Sequence, residues 1–391
     1  MAIDFMTDAQ ALRDELIARR RDFHRHPELA FEERRTAGIV ADELNSLGLE
    51  VQTGVGLTGV VGILEGAPGD GAIALRADMD ALPILEGNDV AHRSTNDGTM
   101  HACGHDGHTT MLLGAARYLA ETRNFAGTVY FVFQPAEEGL GGGEAMVKEG
   151  LFERFPANAV YGMHNWPGQP PGEIAVRTGP MMAACDEFTI TVEGTGAHGA
   201  MPHLGHDAVV AAAQIVTGLQ SIVARNVDPL EACVVSVTMI HGGDAFNVIP
   251  QAVELAGTVR TFKPEVRDLI AANIERVAES TAAALGTRAT AKVEGRFPAT
   301  VNTADETDRA EAAARDVVGA ERVHRDLAPC MGSEDFAYML EARPGSYVWI
   351  GNGLGPGGCF LHNPGYDFND EILPIGASYW ATLVERELGA G

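Results

Sequence analysis

Residues 100 to 108 read MHACGHDGH, with three histidines, a cysteine and an aspartate in nine positions. Imidazole nitrogens and thiolate sulfur are the donors that hold first-row divalent ions. Clustering alone does not make a metal site, because a lone histidine is more often a hydrogen-bonded core residue and a lone buried cysteine an inert small hydrophobe. The deciding observation is that further ligand-type residues follow apolar runs elsewhere in the chain. Asp78 and Asp80 end AIALRADMD, Glu137 and Glu138 end TVYFVFQPAEEG, His164 follows AVYGM, and His362 lies in the glycine-rich GNGLGPGGCFLHNPGYDF. Cys103, His105, Glu138, His164 and His362 give five donors, more than one tetrahedral zinc accepts while keeping an open position. Two divalent ions about 3.5–4 Å apart, sharing a water, accommodate them. Glu137 is then left for proton transfer, taking a proton from that water and handing it to a leaving nitrogen. The chemistry this describes is metal-assisted hydrolysis of an amide. Asp78 and Asp80 are expected to cap the turn before Leu82 and Pro83 or to support the ligands from behind.

Such a set converges only if the elements carrying it end at one rim. Short apolar runs alternate with amphipathic stretches, which predicts an α/β fold with a mixed, largely parallel sheet flanked by helices. Expected strands are GVVGILE, AIALRAD, GTVYFVFQ, ANAVYGMH and SYVWIGN, and expected helices cover 8–22, 33–47, 107–122 and 306–318. Open α/β sheets place ligands outside the carboxyl ends of their strands, where the residues above fall. The middle of the chain follows another order. EFTITVEG, a helix over 206–225, ACVVSVTMI, AVELAGTVRTF, a helix over 265–285 and ATAKVEG form a β-α-β-β-α-β series, the ferredoxin-like order. The expected organisation is therefore a discontinuous catalytic domain, 1–183 and 297–391, interrupted by an inserted domain at 184–296.

Composition narrows the function classes. Lys and Arg number 28 against 54 Asp and Glu, for a formal charge of −26. Such a surface repels phosphate backbones and argues against a nucleic-acid partner. The N-terminal stretch turns amphipathic at once, and no run reads as a signal peptide or as long enough to span a membrane. The five cysteines, Cys103, Cys185, Cys233, Cys330 and Cys359, lack a framework spacing, which points to a reducing cytoplasm and free or metal-bound thiols.

The motifs MHACGHDGH, QPAEEG, GMHNWP, GTGAHGAMPH, NVIP, GTVRTF, MGSEDF and LHNPGYDF resemble those of the aminoacylase, hippurate hydrolase and indole-acetyl-amino-acid hydrolase family of binuclear metallo-amidohydrolases. The likeness runs from RRDFHRHPEL to the last loop. It implies Cys103, His105, Glu138, His164 and His362 as ligands of two divalent metal ions and Glu137 as general base and acid. It also implies that the inserted domain is a lid that mediates homodimerisation. His198 in GTGAHGAMPH would donate a hydrogen bond to the developing oxyanion, in related enzymes from the partner subunit. Asn247 in NVIP and Arg260 in GTVRTF would hold the substrate's carboxylate, for which a bidentate guanidinium is suited. MGSEDF, with Gly332, Ser333 and Asp335, resembles a loop near the scissile bond, with no role assigned. His101, His108, His203 and His206 are expected to be structural or to support the ligands.

Dipeptidases and carboxypeptidases of the same clan resemble this chain less closely, because they carry His-x-Asp where it has Asp78 and Asp80, and an aspartate where it has a thiolate. Softer ligation leaves zinc, manganese, nickel and cobalt open as the metal. The expected substrate is an N-acyl-amino acid, split into a carboxylic acid and a free amino acid. A metallo-exopeptidase using the same site is the alternative, and a catalytically silent ligand-binding protein is disfavoured by the presence of Glu137 beside a full ligand set.

Overall fold

The computed structural model describes residues 12–325, 327–354 and 358–389. It divides into two compact units: one holds the chain up to Met181, Thr300–Ala328 and Asp335 onward, and the other holds Met182–Ala299 and Pro329–Glu334. The segment Pro329–Glu334, which the sequence reading left in the outer domain, joins the second unit. Its backbone explains why: the carbonyls of Cys330 and Gly332 both accept from the Ala183 N–H.

The first unit opens with helices α1 (Arg13–Arg25) and α2 (Arg34–Ser46) and strands β1 (Glu50–Val55), β2 (Gly59–Glu65) and β3 (Ala67–Asp78). Helix α3 (His105–Thr122) and strand β4 (Ala126–Gln134) follow, then α4 (Gly142–Lys148), α5 (Leu151–Arg154), β5 (Ala159–Pro167), β6 (Ile174–Val176) and β7 (Gly179–Met182). The expected helix over 8–22 starts outside the described residues; within them it is α1. In the second unit β8 (Ala184–Glu193), β9 (Ala197–His198), α6 (Ala208–Arg225), β10 (Cys233–His241), β11 (Val248–Ile249), β12 (Ala252–Thr261), α7 (Pro264–Ala284) and β13 (Arg288–Phe297) follow in order. The first unit resumes with β14 (Thr300–Asn302), α8 (Ala304–Val318), β15 (Val323–Arg325), α9 (Ala337–Ala342), β16 (Gly345–Gly353) and α10 (Leu373–Glu387).

The first unit's sheet has the order β1-β2-β4-β3-β5-β16-β6-β15. Its centre, β4-β3-β5-β16, is parallel throughout, while β1, β2 and the β16-β6 pairing are antiparallel. Central strands are apolar on both faces because helices cover both sides: β4 is buried at every position from Val129 to Gln134. Helix α3 is buried along nearly its whole length, so its apolar residues appear on every face rather than as a stripe.

The second unit's sheet, β10-β12-β8-β13, is antiparallel at each pairing. With α6 and α7 as the crossovers this is the ferredoxin-like split β-α-β arrangement. Here one face only is covered, and β8 shows it by strict alternation: Phe188, Ile190 and Val192 are buried, while Glu187, Thr189, Thr191 and Glu193 are exposed. The sequence reading found no run able to span a membrane, yet α6 qualifies by length and composition, with 18 residues and mean hydropathy 1.4. In the fold, Ala211, Ala212, Ile215, Leu219 and Ile222 of this helix form one side of the second unit's core.

One backbone feature sets the start of α3. The sequence pattern placed this helix from 107, but it begins at His105, because Gly104 turns the chain in the left-handed region at φ 101°. A Cβ on Gly104 would lie 2.2 Å from Asn165 Oδ1. Gly104→Ala is therefore expected to lower stability by about 1–3 kcal/mol, through strain and overpacking together, and to reduce bound metal. Urea unfolding and elemental analysis of the purified variant check this; wild-type values for both would overturn it.

Candidate metal centre

The predicted ligands of the first unit come together. The donor atoms of Cys103, His105 and His164 lie within 4.8 Å of one another, and so do those of Cys103, Glu138 and His362. These are two triads sharing one sulfur. Cys103 Sγ is 3.4 Å from His164 Nε2, and Glu138 Oε1 is 3.2 Å from His362 Nε2.

Each side chain is aimed by its own element. His164 lies near the end of β5 and donates through Nδ1 to the Asn165 carbonyl (2.7 Å), which leaves Nε2 as the free donor atom. His105 heads α3, and its Nδ1 donates to Asp80 Oδ1 (3.2 Å). Its Nε2 is buried and, among the described residues, has no hydrogen-bond partner. A buried ring nitrogen left without a hydrogen-bond partner is costly, and a metal ion in that direction would take its place as partner. Glu137 and Glu138 follow β4 through Ala136, which is held at φ 50°, and both their N–H groups donate to Asp80, at 3.1 and 2.9 Å. His362 also sits in the left-handed region, at φ 60°, and its N–H donates to the Ala102 carbonyl (2.8 Å). That bond ties the last loop to the Cys103 segment. Among the described residues five non-glycine residues have positive φ, and two of them, His362, a predicted ligand, and Ala136, beside the glutamates, store backbone strain at this candidate site.

The electrostatics fit cation binding. Burial pulls the His105 pKa down, but Asp78, Asp80 and Glu138 outweigh it and push it up to about 10. Burial, then Glu138 and Glu137, push the Cys103 thiol well up. Burial and the neighbouring His108 hold His164 well below its ordinary value, so it is a neutral imidazole. The donor set, the orphaned Nε2 and the surplus of carboxylates thus suit a pair of divalent ions.

Several residues that the motifs did not single out complete the arrangement. Arg76 is fully buried; it donates through Nη1 to Asp78 Oδ2 (2.7 Å), through Nε to Gln134 Oε1 (2.8 Å) and through Nη2 to Asp335 Oδ1 (3.2 Å). Asp335, the residue of MGSEDF without an assigned role, also accepts from Gln134 Nε2 (2.6 Å) and from the Gly143 N–H (2.7 Å). It therefore braces the end of β4 and the start of α4. His108 donates to Asp78 Oδ1 (2.6 Å) and accepts the Asn165 N–H (3.0 Å), and Asn165 Nδ2 donates to the Tyr366 hydroxyl (2.6 Å). Asp78, His105 and His108 form another compact donor group. Both Asp78 oxygens are already engaged, by Arg76 and His108, so this group reads as support. The signal for these residues in the sequence was a buried-type polar residue at each strand end, which carries no pairing information.

The second unit holds the remaining predicted residues and separates them. His198 on β9 pairs in register with Val248, next to Asn247, whose carbonyl accepts from Gly199 (2.7 Å). His198 and Asn247 are exposed neighbours. Arg260 is near the far end of β12, where its Nη1 donates to the Thr258 hydroxyl and to the Val259 carbonyl. From Ala252 to Arg260 the strand advances about 26 Å, and Asn247 lies beyond the Ala252 end. Within one chain, Asn247 and Arg260 do not meet. His203 and His206 are also in this unit; His206 Nδ1 lies 3.4 Å from the Thr195 hydroxyl.

Fold and site together define a hydrolase scaffold with a two-metal ligand set at the strand ends of an α/β sheet. Residues 74–386 match the model of Peptidase family M20/M25/M40, and the chain belongs to this family. It is 41% identical over 369 residues to the hippurate hydrolase of Campylobacter jejuni, covering 94% of this chain and 95% of that one. It is likewise 41% identical over 377 residues to the N-acetylcysteine deacetylase of Bacillus subtilis, covering 96% and 97%. A crystal structure of a Bacillus subtilis protein, described as a dinuclear metal binding peptidase from the M20 family, superposes with a TM-score of 0.84 at 37% identity, covering 97% of this chain and 99% of that one.

Metal uptake should release protons. Below its pKa of about 10 the metal-free His105 carries a proton, and so does the Cys103 thiol, and each competes with the ion for its donor atom. Affinity is therefore expected to rise from pH 6 to 8, with about two protons released per loaded site. Calorimetric titration of stripped protein in buffers of different ionisation enthalpy measures this. Uptake without proton release would mean that these two groups are not ligands.

Proposed function

We propose that this chain is a binuclear metallo-amidohydrolase that cleaves the amide bond of N-acyl-amino acids, releasing a carboxylic acid and a free amino acid. The observation that carries the reading is the pair of donor triads sharing Cys103, with Glu137 beside them. Cys103, His105, Glu138, His164 and His362 hold the ions, zinc or manganese before nickel or cobalt. When bound, the ions polarise the amide carbonyl and acidify water. Glu137 removes a proton from the attacking water and delivers it to the leaving nitrogen. Its backbone is fixed by Asp80, so the carboxylate approaches from one direction. His198 donates to the oxyanion, and Arg260 and Asn247 read the substrate's carboxylate.

The distance along β12 bears on the quaternary structure. One chain cannot bring Arg260 and the His198–Asn247 pair to one substrate, so the proposed enzyme is a homodimer through the inserted unit, each substrate reading Arg260 from one chain and the other two from its partner. The setting is a reducing cytoplasm, in keeping with five free cysteines.

The two glutamates should separate cleanly. Glu137→Gln is expected to keep both metals while kcat falls about 10²- to 10⁴-fold, because the proton carrier is lost and the ligands are intact. Glu138→Gln is expected to lose metal. Elemental analysis beside turnover of N-acetyl and N-benzoyl amino acids decides it, and the reverse pattern would exchange the two roles. Dipeptides in the same assay test the exopeptidase alternative: faster cleavage of dipeptides than of every N-acyl-amino acid would favour it.

Carboxylate reading has its own test. Loss of a desolvated charge-assisted contact costs about 2–4 kcal/mol, so Arg260→Ala is expected to lower kcat/KM about 30- to 1000-fold on N-benzoylglycine. On N-benzoylglycinamide, which has no carboxylate, the change should be small. Equal losses on both would assign Arg260 a structural role only.

A further inference from the structure

Trp166 follows the ligand His164 by two positions on β5, so both side chains leave the same face of the strand. The two rings stand edge to face, with centroids 6.3 Å apart. One face of the Trp166 indole lies flat on Trp349 of β16, at 4.0 Å and 10°. Trp349 is buried, whereas Trp166 remains partly open. A second aromatic flanks the centre from the last loop. Phe360 precedes the ligand His362 by two positions and is 62% exposed. The tip of its ring lies over Gly168, 3.4 Å from where a Cβ would stand, two residues beyond Trp166. A partly open indole and an exposed phenyl ring thus stand within two residues of two different candidate metal ligands, on segments that touch.

Exposed aromatic surface beside a charged centre is poorly used unless a ligand covers it. We infer that Trp166 and Phe360 form the wall that receives the acyl group, and that they favour aromatic acyl groups over acetyl. This rests on the N-acyl-amino acid reading of the same site. The wall suits the acyl half rather than the amino-acid half, because the negative face of an aromatic ring disfavours a carboxylate. The stack on buried Trp349 holds the Trp166 plane in one orientation, as flat recognition of an aryl ring requires.

The test is a ratio of kcat/KM values within one preparation, which is independent of the fraction of active enzyme. Trp166→Ala and Phe360→Ala are each expected to lower the ratio of N-benzoylglycine to N-acetylglycine by about ten-fold or more, and Trp166→Phe to restore most of it. The ratio of N-acetylphenylalanine to N-acetylglycine should stay as in wild type. An unchanged benzoyl-to-acetyl ratio in both alanine variants, or a fall in the phenylalanine ratio instead, would overturn the inference. So would a wild-type enzyme with no preference for benzoyl over acetyl. A wild type that hydrolyses no N-acylglycine would sink the underlying functional reading, a distinguishable result.

Discussion

The carboxylate of Asp80 is the contact on which the centre depends. It is buried, and it accepts from His105 Nδ1, from the Glu137 N–H and from the Glu138 N–H. Three things follow from one group. The His105 ring is fixed with Nδ1 on Asp80 and Nε2 turned forward, the nitrogen a metal would take in place of its proton. The loop after β4 is held so that adjacent glutamates project from a fixed backbone. And α3, the loop after β3 and the loop after β4 are locked together at the carboxyl ends of parallel strands, the position where an α/β sheet gathers its chemistry.

Behind Asp80 the same logic is repeated with arginine. Arg76 reaches Asp78, Gln134 and Asp335 from a fully buried position, and Arg20, equally buried, lies 3.1 Å from Asp106 and also pairs with Asp367. A guanidinium presents several donors in one plane, which a lysine ammonium cannot match. Buried ion pairs of this kind add little net stability relative to apolar packing, but removing one partner strands a charge. Their value here is positional: Arg76 ties the ends of β3 and β4 to the Asp335 segment, and Arg20 ties α1 to α3 and to the last loop.

How much of this was legible in the sequence differed by kind. The convergence of the candidate ligands was legible, because cysteine, histidine and paired glutamates after apolar strands are unusual in chemistry and position, and the fold brings their donor atoms together. The ferredoxin-like order was legible because a one-sided sheet prints a period of two, as in Phe188, Ile190 and Val192. Short and strand-edge elements such as β1, β6 and β15 were not, since three to six residues carry too little pattern. The start of α3 was missed because only the left-handed Gly104 reveals it. Asp335 was quoted without a role because its partners, Arg76 and Gln134, lie far away in sequence. The separation of Asn247 from Arg260 within one chain was not legible: they are thirteen positions apart in sequence, but most of those positions lie in one extended strand, which carries the ends apart.

Charge explains why the support around the ligands is built with arginine and why position 78 is not a histidine here. Asp78, Asp80, Glu137, Glu138 and Asp335 are all buried or nearly so, as is Cys103, and Arg76 is the buried cation among them. With the thiolate formed and the imidazoles neutral, this cluster is strongly negative, a state that a low-dielectric interior resists. Two divalent ions nearly balance it. In their absence the balance falls to protons, which is why His105 is driven to hold one and why the Cys103 thiol resists losing its own. Asp78 remains ionised throughout, because His105, His108 and Arg76 hold its pKa well below the usual range despite burial. A neutral histidine at 78 would leave Arg76 short of one anion and His108 without its acceptor, so a thiolate at 103 and an arginine–aspartate support at 76 and 78 belong to one electrostatic solution.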